Sequence, residues 1–152
     1  GGVYKLGAIE DSAGEWKPRI KLSEIPIKIS TPGIQQVRRY HDPHHFVGDV
    51  LFSELIGPPE TSDAVTFSGD PMSLASNDPA CKDLQHEDLL KSTVRGGNLV
   101  TVMPELGHIQ QHAADQLARL PHTVRDLKCP APYPVGLENR LDALKRRMIE
   151  AR

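Results

Sequence analysis

The residues whose chemistry converges best lie near the start of the chain: Arg19, Lys21 and Ser23, followed by Lys28, Ser30, Thr31 and Gly33. Two or three cations beside hydroxyls suit a phosphate-bearing ligand, because guanidinium and ammonium groups make short, charge-assisted hydrogen bonds to phosphate oxygens. An Arg-x-Lys-x-Ser spacing puts all three side chains on one face of an extended strand, since strand side chains alternate with a period of two. The competing reading is a solvated strand face leading into a polar loop, and spacing alone favours it, because exposed cations are common and contribute little energy.

The seven histidines invite a metal reading. His108 and His112 are four apart and would share one helix face. A zincin site needs a glutamate directly after the first histidine, however, and position 109 is Ile with no third ligand following at a familiar distance, so solvated helix-face histidines and no metal are expected. His41, His44 and His45 surround Asp42 in a turn, with no nucleophile or second carboxylate beside them, and read as loop decoration. Cys81 and Cys129 lack a close CxxC spacing and read as reduced thiols. No GxxxxGK, GxGxxG or GxSxG pattern is present, so the sequence offers no residue for a catalytic role.

The elements that must position the cationic group begin with a strand over residues 3–9, turn residues at 11–14, and a second extended arm over 16–22 that alternates Ile20 and Leu22 against Arg19, Lys21 and Ser23. A second hairpin follows, with arms over 35–40 and 46–52 around the histidine turn. Residues 53–88 lose periodicity among Gly57-Pro58-Pro59, Ser68-Gly69-Asp70-Pro71 and Asn77-Asp78-Pro79, which predicts an irregular surface excursion. Arg95-Gly96-Gly97-Asn98 is a tight turn between two short apolar arms and makes a third hairpin. Helical spacing of Ile109, Ala113, Leu117, Leu120, Val124 and Leu127 predicts helix over 106–128, either kinked at Pro121 or with a second helix opening there at its first turn. Leu137, Leu141, Leu144 and Met148 predict a last amphipathic helix over 137–151.

The expected class is therefore α+β, antiparallel hairpins followed by C-terminal helices, divided as a hairpin segment over 1–52, an irregular loop over 53–88, and a hairpin with a helical segment over 89–152. With 13 prolines and 12 glycines beside only 38% hydrophobic residues, the composition is thin for a self-sufficient core, and the chain reads as a piece of a larger fold. A net charge of -2 gives no basic footprint for nucleic acid. No apolar run approaches the roughly 18 residues of a membrane span, so the expectation is a soluble, cytoplasmic protein with neither nucleic acid nor membrane as partner.

Taken in order, Gly1-Gly2-Val3-Tyr4-Lys5-Leu6, Lys17-Pro18-Arg19-Ile20-Lys21-Leu22-Ser23-Glu24, Lys28 with Thr31-Pro32-Gly33, and Val37-Arg38-Arg39-Tyr40 resemble the nicotinate phosphoribosyltransferase family just after its barrel. The resemblance resumes at Val94-Arg95-Gly96-Gly97, Gln116-Leu117-Ala118-Arg119-Leu120-Pro121 and Tyr133-Pro134-Val135-Gly136-Leu137, and covers most of the chain except about 58–82. It implies the C-terminal portion of a multidomain type II phosphoribosyltransferase with an α/β barrel core. The parent enzyme it implies joins nicotinate to phosphoribosyl pyrophosphate, with ATP and Mg as substrates and hydrolysis coupled through a phosphohistidine, and acts as a homodimer at the entry to NAD salvage. The phosphohistidine, the nicotinate-holding residues and the phosphate loops would lie upstream of Gly1, so the isolated chain should be inactive and bind no cofactor. Only the pattern at Arg19, Lys21 and Ser23 carries over, with Lys28 beside it, as candidate contacts to substrate phosphate or across the dimer. The sequence departs from the family pattern at Gly7 and Ile25, where a bulkier and an acidic residue are expected, and both changes look tolerable. The competing function is a non-catalytic binding or assembly module.

Overall fold

A computed structural model of the chain describes residues 4–60, 65–67 and 84–151. Its centre is the antiparallel pair β3 (Gln35–His41) and β4 (Phe46–Ser53). The run Phe46-Val47 and Val50-Leu51-Phe52 favours extended backbone, because branched and aromatic side chains pack well on a pleated surface. The connecting turn is set by Asp42, whose Oδ1 accepts the amides of His44 at 2.6 Å and His45 at 2.5 Å while Pro43 fixes the intervening φ. Those amides, His45 first, hold the Asp42 carboxyl below the usual aspartate range.

Around this pair the chain builds a five-stranded sheet in the order β5 (Val65–Phe67), β9 (Val135–Glu138), β4, β3, β6 (Gln85–Asp88). Every pairing is antiparallel except β4 with β9, which runs parallel from Asp49↔Val135 to Leu51↔Leu137. Central position buries β4 almost throughout, and Phe46, Val50 and Phe52 join Leu141 of helix α2 (Asn139–Glu150) as the buried apolar core. Two shorter hairpins flank the sheet: β1 (Ala8–Glu10) with β2 (Trp16–Pro18), and β7 (Val94–Arg95) with β8 (Asn98–Leu99). In the latter, Gly96 and Gly97 have φ of 56° and 79°, the positive pair that a two-residue type I′ turn requires. Helix α1 (Leu106–Ala118) follows and buries no residue. No described helix is long and apolar enough to cross a membrane.

The α+β class with antiparallel hairpins and C-terminal helices is as expected, and the chain departs from the expected elements in five places, the first being the opening arm, expected over 3–9, which is strand only at Ala8–Glu10 while residues 4–7 pair with no strand. The second arm of the first hairpin stops at Pro18 instead of running to residue 22, because the Gly7 carbonyl accepts both the Arg19 and the Gly33 amide at 2.7 Å and the incoming Gly33 backbone displaces further pairing. Strands β5 and β6 fall within the stretch expected to be irregular; the rest of it from 61 to 83, with Cys81, lies outside the described residues, as does the strand start at Val3. Helix α1 ends ten residues short of 128 (128 − 118), since Pro121 disfavours helical backbone at Leu120 and residues 119–134 run on as turns. Leu137 belongs to β9 rather than to the last helix, which starts only after Glu138.

Candidate functional site

The cationic group sits on the loop that joins β2 to β3. Arg19 is exposed and donates from Nη1 to the Pro18 carbonyl at 2.9 Å. Lys21 is exposed too, and its backbone is locked to Ser30: the Lys21 amide donates to Ser30 Oγ at 2.7 Å and the Ser30 amide to the Lys21 carbonyl at 3.1 Å. Ser23 Oγ accepts the Ile25 amide at 3.2 Å, a local turn contact, and Lys28 closes a short 3-10 turn (Pro26–Lys28). Among the described residues, none of the three cations is paired with a carboxylate. Arg19, Lys21 and Ser23, expected to share one strand face, therefore lie with Lys28 along a loop, and the three cations are exposed.

What holds that loop is close backbone approach. A Cβ at Gly7 would lie 2.6 Å from the Gly33 carbonyl oxygen, and one at Gly33, whose φ is 94°, would lie 2.3 Å from Ser53 Oγ. Gly7, where the family pattern suggests a bulkier residue, is thus required by the packing rather than merely tolerated.

Beneath the loop opens a groove of about 600 Å³. Its charged wall comes not from Arg19, Lys21 or Lys28 but from Lys5, at the start of the chain, and Lys145, on α2. Trp16, Ile29, Ser30 and Thr31 also line it.

The two arginines of β3 could pass for further phosphate ligands, and the structure gives them another role. Arg38 makes a bidentate pair with Asp88 of β6 at 2.7 and 3.0 Å, which raises the guanidinium pKa and lowers that of the carboxyl. Arg39 pairs with Asp49 of β4 at 2.8 and 2.7 Å, reaches Gln116 of α1 at 3.1 Å, and stacks 4.4 Å from the Phe46 ring centroid. Arg119 lies at the same distance from that ring. The Tyr133 hydroxyl donates to Asp49 at 3.0 Å, and its pKa is pushed well up by burial and then by the Asp49 charge. Arg38, whose guanidinium lies 5.3 Å from the Phe52 ring centroid, and Arg39 are thus already paired and half-buried against aromatic rings, so they brace the sheet.

The histidines make no shared site. His108 and His112 are exposed on α1, His44 and His45 are exposed in the β3–β4 turn, and no group of metal-ligating side chains occurs among the described residues.

A family model described as nicotinate phosphoribosyltransferase C-terminal domain matches residues 34–145. The chain belongs to this family. The nicotinate phosphoribosyltransferase of Bacillus subtilis (strain 168) is 33% identical over 141 residues, 90% of this chain and 28% of the relative. That of Mus musculus is 30% identical over 146 residues, 95% of this chain and 26% of the relative. The crystal structure of human nicotinic acid phosphoribosyltransferase superposes with a TM-score of 0.61 and 25% identity over 87% of this chain and 25% of that one. This C-terminal domain chain thus spans about a quarter of the length of the curated relatives it matches. Arg19, Lys21, Ser23 and Lys28 precede the stretch that the domain model matches.

Sequence reading missed Lys5 and Lys145 because they lie at opposite ends of the chain and no periodic pattern joins them. It also missed the Arg38 and Arg39 pairs, since Asp88 and Asp49 become their partners only through strand order. The single sequence signal was the adjacency of Arg38 and Arg39 in a strand, which sends two long cations to opposite faces and so demands two partners.

Proposed function

We propose that this C-terminal domain serves an enzyme that joins nicotinate to phosphoribosyl pyrophosphate, releasing pyrophosphate and forming nicotinate mononucleotide for NAD salvage. The observation that carries the reading is the family match over residues 34–145, backed by relatives of that name aligned to nine-tenths or more of the chain. ATP and Mg are substrates of the longer enzyme, with ATP hydrolysis coupled to the transfer, which places the parent among ATP-coupled ligases. The enzyme works as a homodimer in the cytoplasm.

Within it, this chain supplies support rather than reacting groups. A phosphoribosyl transition state needs preorganised donors around developing charge, and the described polar side chains are engaged mainly in bracing the sheet. Purified alone, the chain turns over no nicotinate. The unpaired, exposed cations Arg19 and Lys21, with Ser23 and Lys28 beside them, face either substrate phosphate or the dimer partner.

Steady-state kinetics of the full-length enzyme with varied phosphoribosyl pyrophosphate test this. Arg19→Ala or Lys21→Ala lowers kcat/KM by about tenfold to a hundredfold, the equivalent of roughly 1.5–3 kcal/mol for a desolvated charged hydrogen bond, while thermal stability holds. Unchanged kinetics with a lowered Tm would assign both residues to packing. Measurable turnover by the purified chain alone would overturn its supporting role.

A further inference from the structure

The groove beneath the β2–β3 loop has a chemistry that bracing the sheet does not use. Lys5 and Lys145 both line it, and neither makes an ion pair or hydrogen bond among the described residues. Among the described residues no acidic side chain lines it. Two like charges in one groove repel one another and are relieved by an anion, so the pair favours a ligand of at least one negative charge. Hydroxyls stand beside them. Ser30 is only 4% exposed, and its Oγ accepts the Lys21 amide, which leaves the hydroxyl proton free to donate. The Thr31 hydroxyl has no partner among the described residues. The rest of the wall is different: the Trp16 indole and the Ile29 side chain offer a flat, apolar surface.

We infer that this groove binds a small phosphorylated ligand carrying a planar ring, of the nucleoside monophosphate class, with phosphate toward Lys5, Lys145, Ser30 and Thr31 and the ring against Trp16. A volume of about 600 Å³ accommodates such a molecule. Phosphate alone leaves the indole unused, and a neutral nucleoside leaves both ammonium groups unpaired, so only a ligand with both parts uses the whole surface. The nicotinate mononucleotide of the transferase reading belongs to the same ligand class and Ser30 is bonded to Lys21, so this site is told apart from that reading through Lys5 and Lys145, which that reading does not use.

Trp16 is the sole tryptophan of the chain, so its fluorescence reports on this groove alone. Titration of the full chain with adenosine monophosphate is expected to change that emission saturably, with adenosine and inorganic phosphate each binding at least tenfold more weakly. Lys5→Ala and Lys145→Ala should each weaken the nucleotide about fivefold or more at unchanged circular dichroism. Calorimetry on Trp16→Phe checks that binding, and not only its optical signal, depends on the indole. No saturable change up to millimolar nucleotide overturns the site. So does adenosine or phosphate binding as tightly as the nucleotide, or a Lys5→Ala/Lys145→Ala double variant that binds it undiminished.

Discussion

The sheet and the arm inserted between its strands β6 and β9 use their apolar residues in opposite ways. In the sheet, Val50 and Leu141 are 0% exposed, and the buried polar groups Asp49, Gln36 and Glu138 all find partners. In the arm formed by β7, β8 and α1, Val102 is 90% exposed, Leu106, Ile109 and Leu117 are exposed as well, and no helix residue is buried. A helix of 13 residues with no buried face is marginal in water, because most helix stability comes from tertiary packing. The difference teaches that the apolar periodicity of a segment reports that a face is to be covered, without saying that the same chain covers it.

That contrast can be broken by mutation, starting where the effect is greatest. Leu141→Ala should cost about 2–5 kcal/mol in urea unfolding, through lost transfer energy and a cavity beneath the sheet. Gly33→Ala should cost about 1–3 kcal/mol, because its φ of 94° strains any side chain and the new methyl meets Ser53. Tyr133→Phe removes one of the donors to Asp49 while leaving the Arg39 fork intact, for about 1 kcal/mol by thermal melting.

A pH titration of stability sharpens the account of the sheet edge. The Arg38 hydrogen bond, more than its charge alone, holds the Asp88 carboxyl below its ordinary value of 3.8. A depressed folded-state pKa contributes stability that is complete above 3.8 and is lost as pH falls through the lowered value. Asp88→Asn should therefore flatten the acid limb of the Tm profile below about pH 4. The smallest effect belongs to the arm: Ile109→Ala should change stability of the chain by no more than about 0.5 kcal/mol. A loss there as large as that of Leu141→Ala would show a packed arm and end the comparison.

The sequence made the hairpins legible where local chemistry dictates them. Asp42-Pro43 and Gly96-Gly97 each specify a turn by hydrogen bonding or by positive φ, and the strands around them follow. It placed β6 in an irregular excursion, because Gln85-His86-Glu87-Asp88 has no apolar face; that strand exists through its pairing with β3 and the Arg38 to Asp88 fork. It misassigned Leu137 because that residue fits a helical interval to Leu141 and a strand position equally well. What decides is Glu138, an uncommon N-cap whose Oε2 accepts the Leu141 amide at 2.9 Å and starts the helix one residue later. Of the candidate site, residue types were readable and location was not: Arg19, Lys21 and Ser23 were expected on a strand, whereas loop closure at Gly7 and Gly33 sets their place and that of Lys28.

The polar strand β6 has a consequence for how molecules of this chain meet one another. It forms one edge of the five-stranded sheet, where unpaired backbone groups would otherwise template a further strand from a neighbouring molecule. Gln85, His86 and Glu87 are exposed along that edge and keep their solvent there, so an added chain would have to strip water from charged and amide groups before its first rung formed. Growth of ordered fibres from this end of the sheet is thereby suppressed, and self-association in concentrated solution should run through the apolar arm, giving amorphous and reversible clusters in place of cross-β stacks.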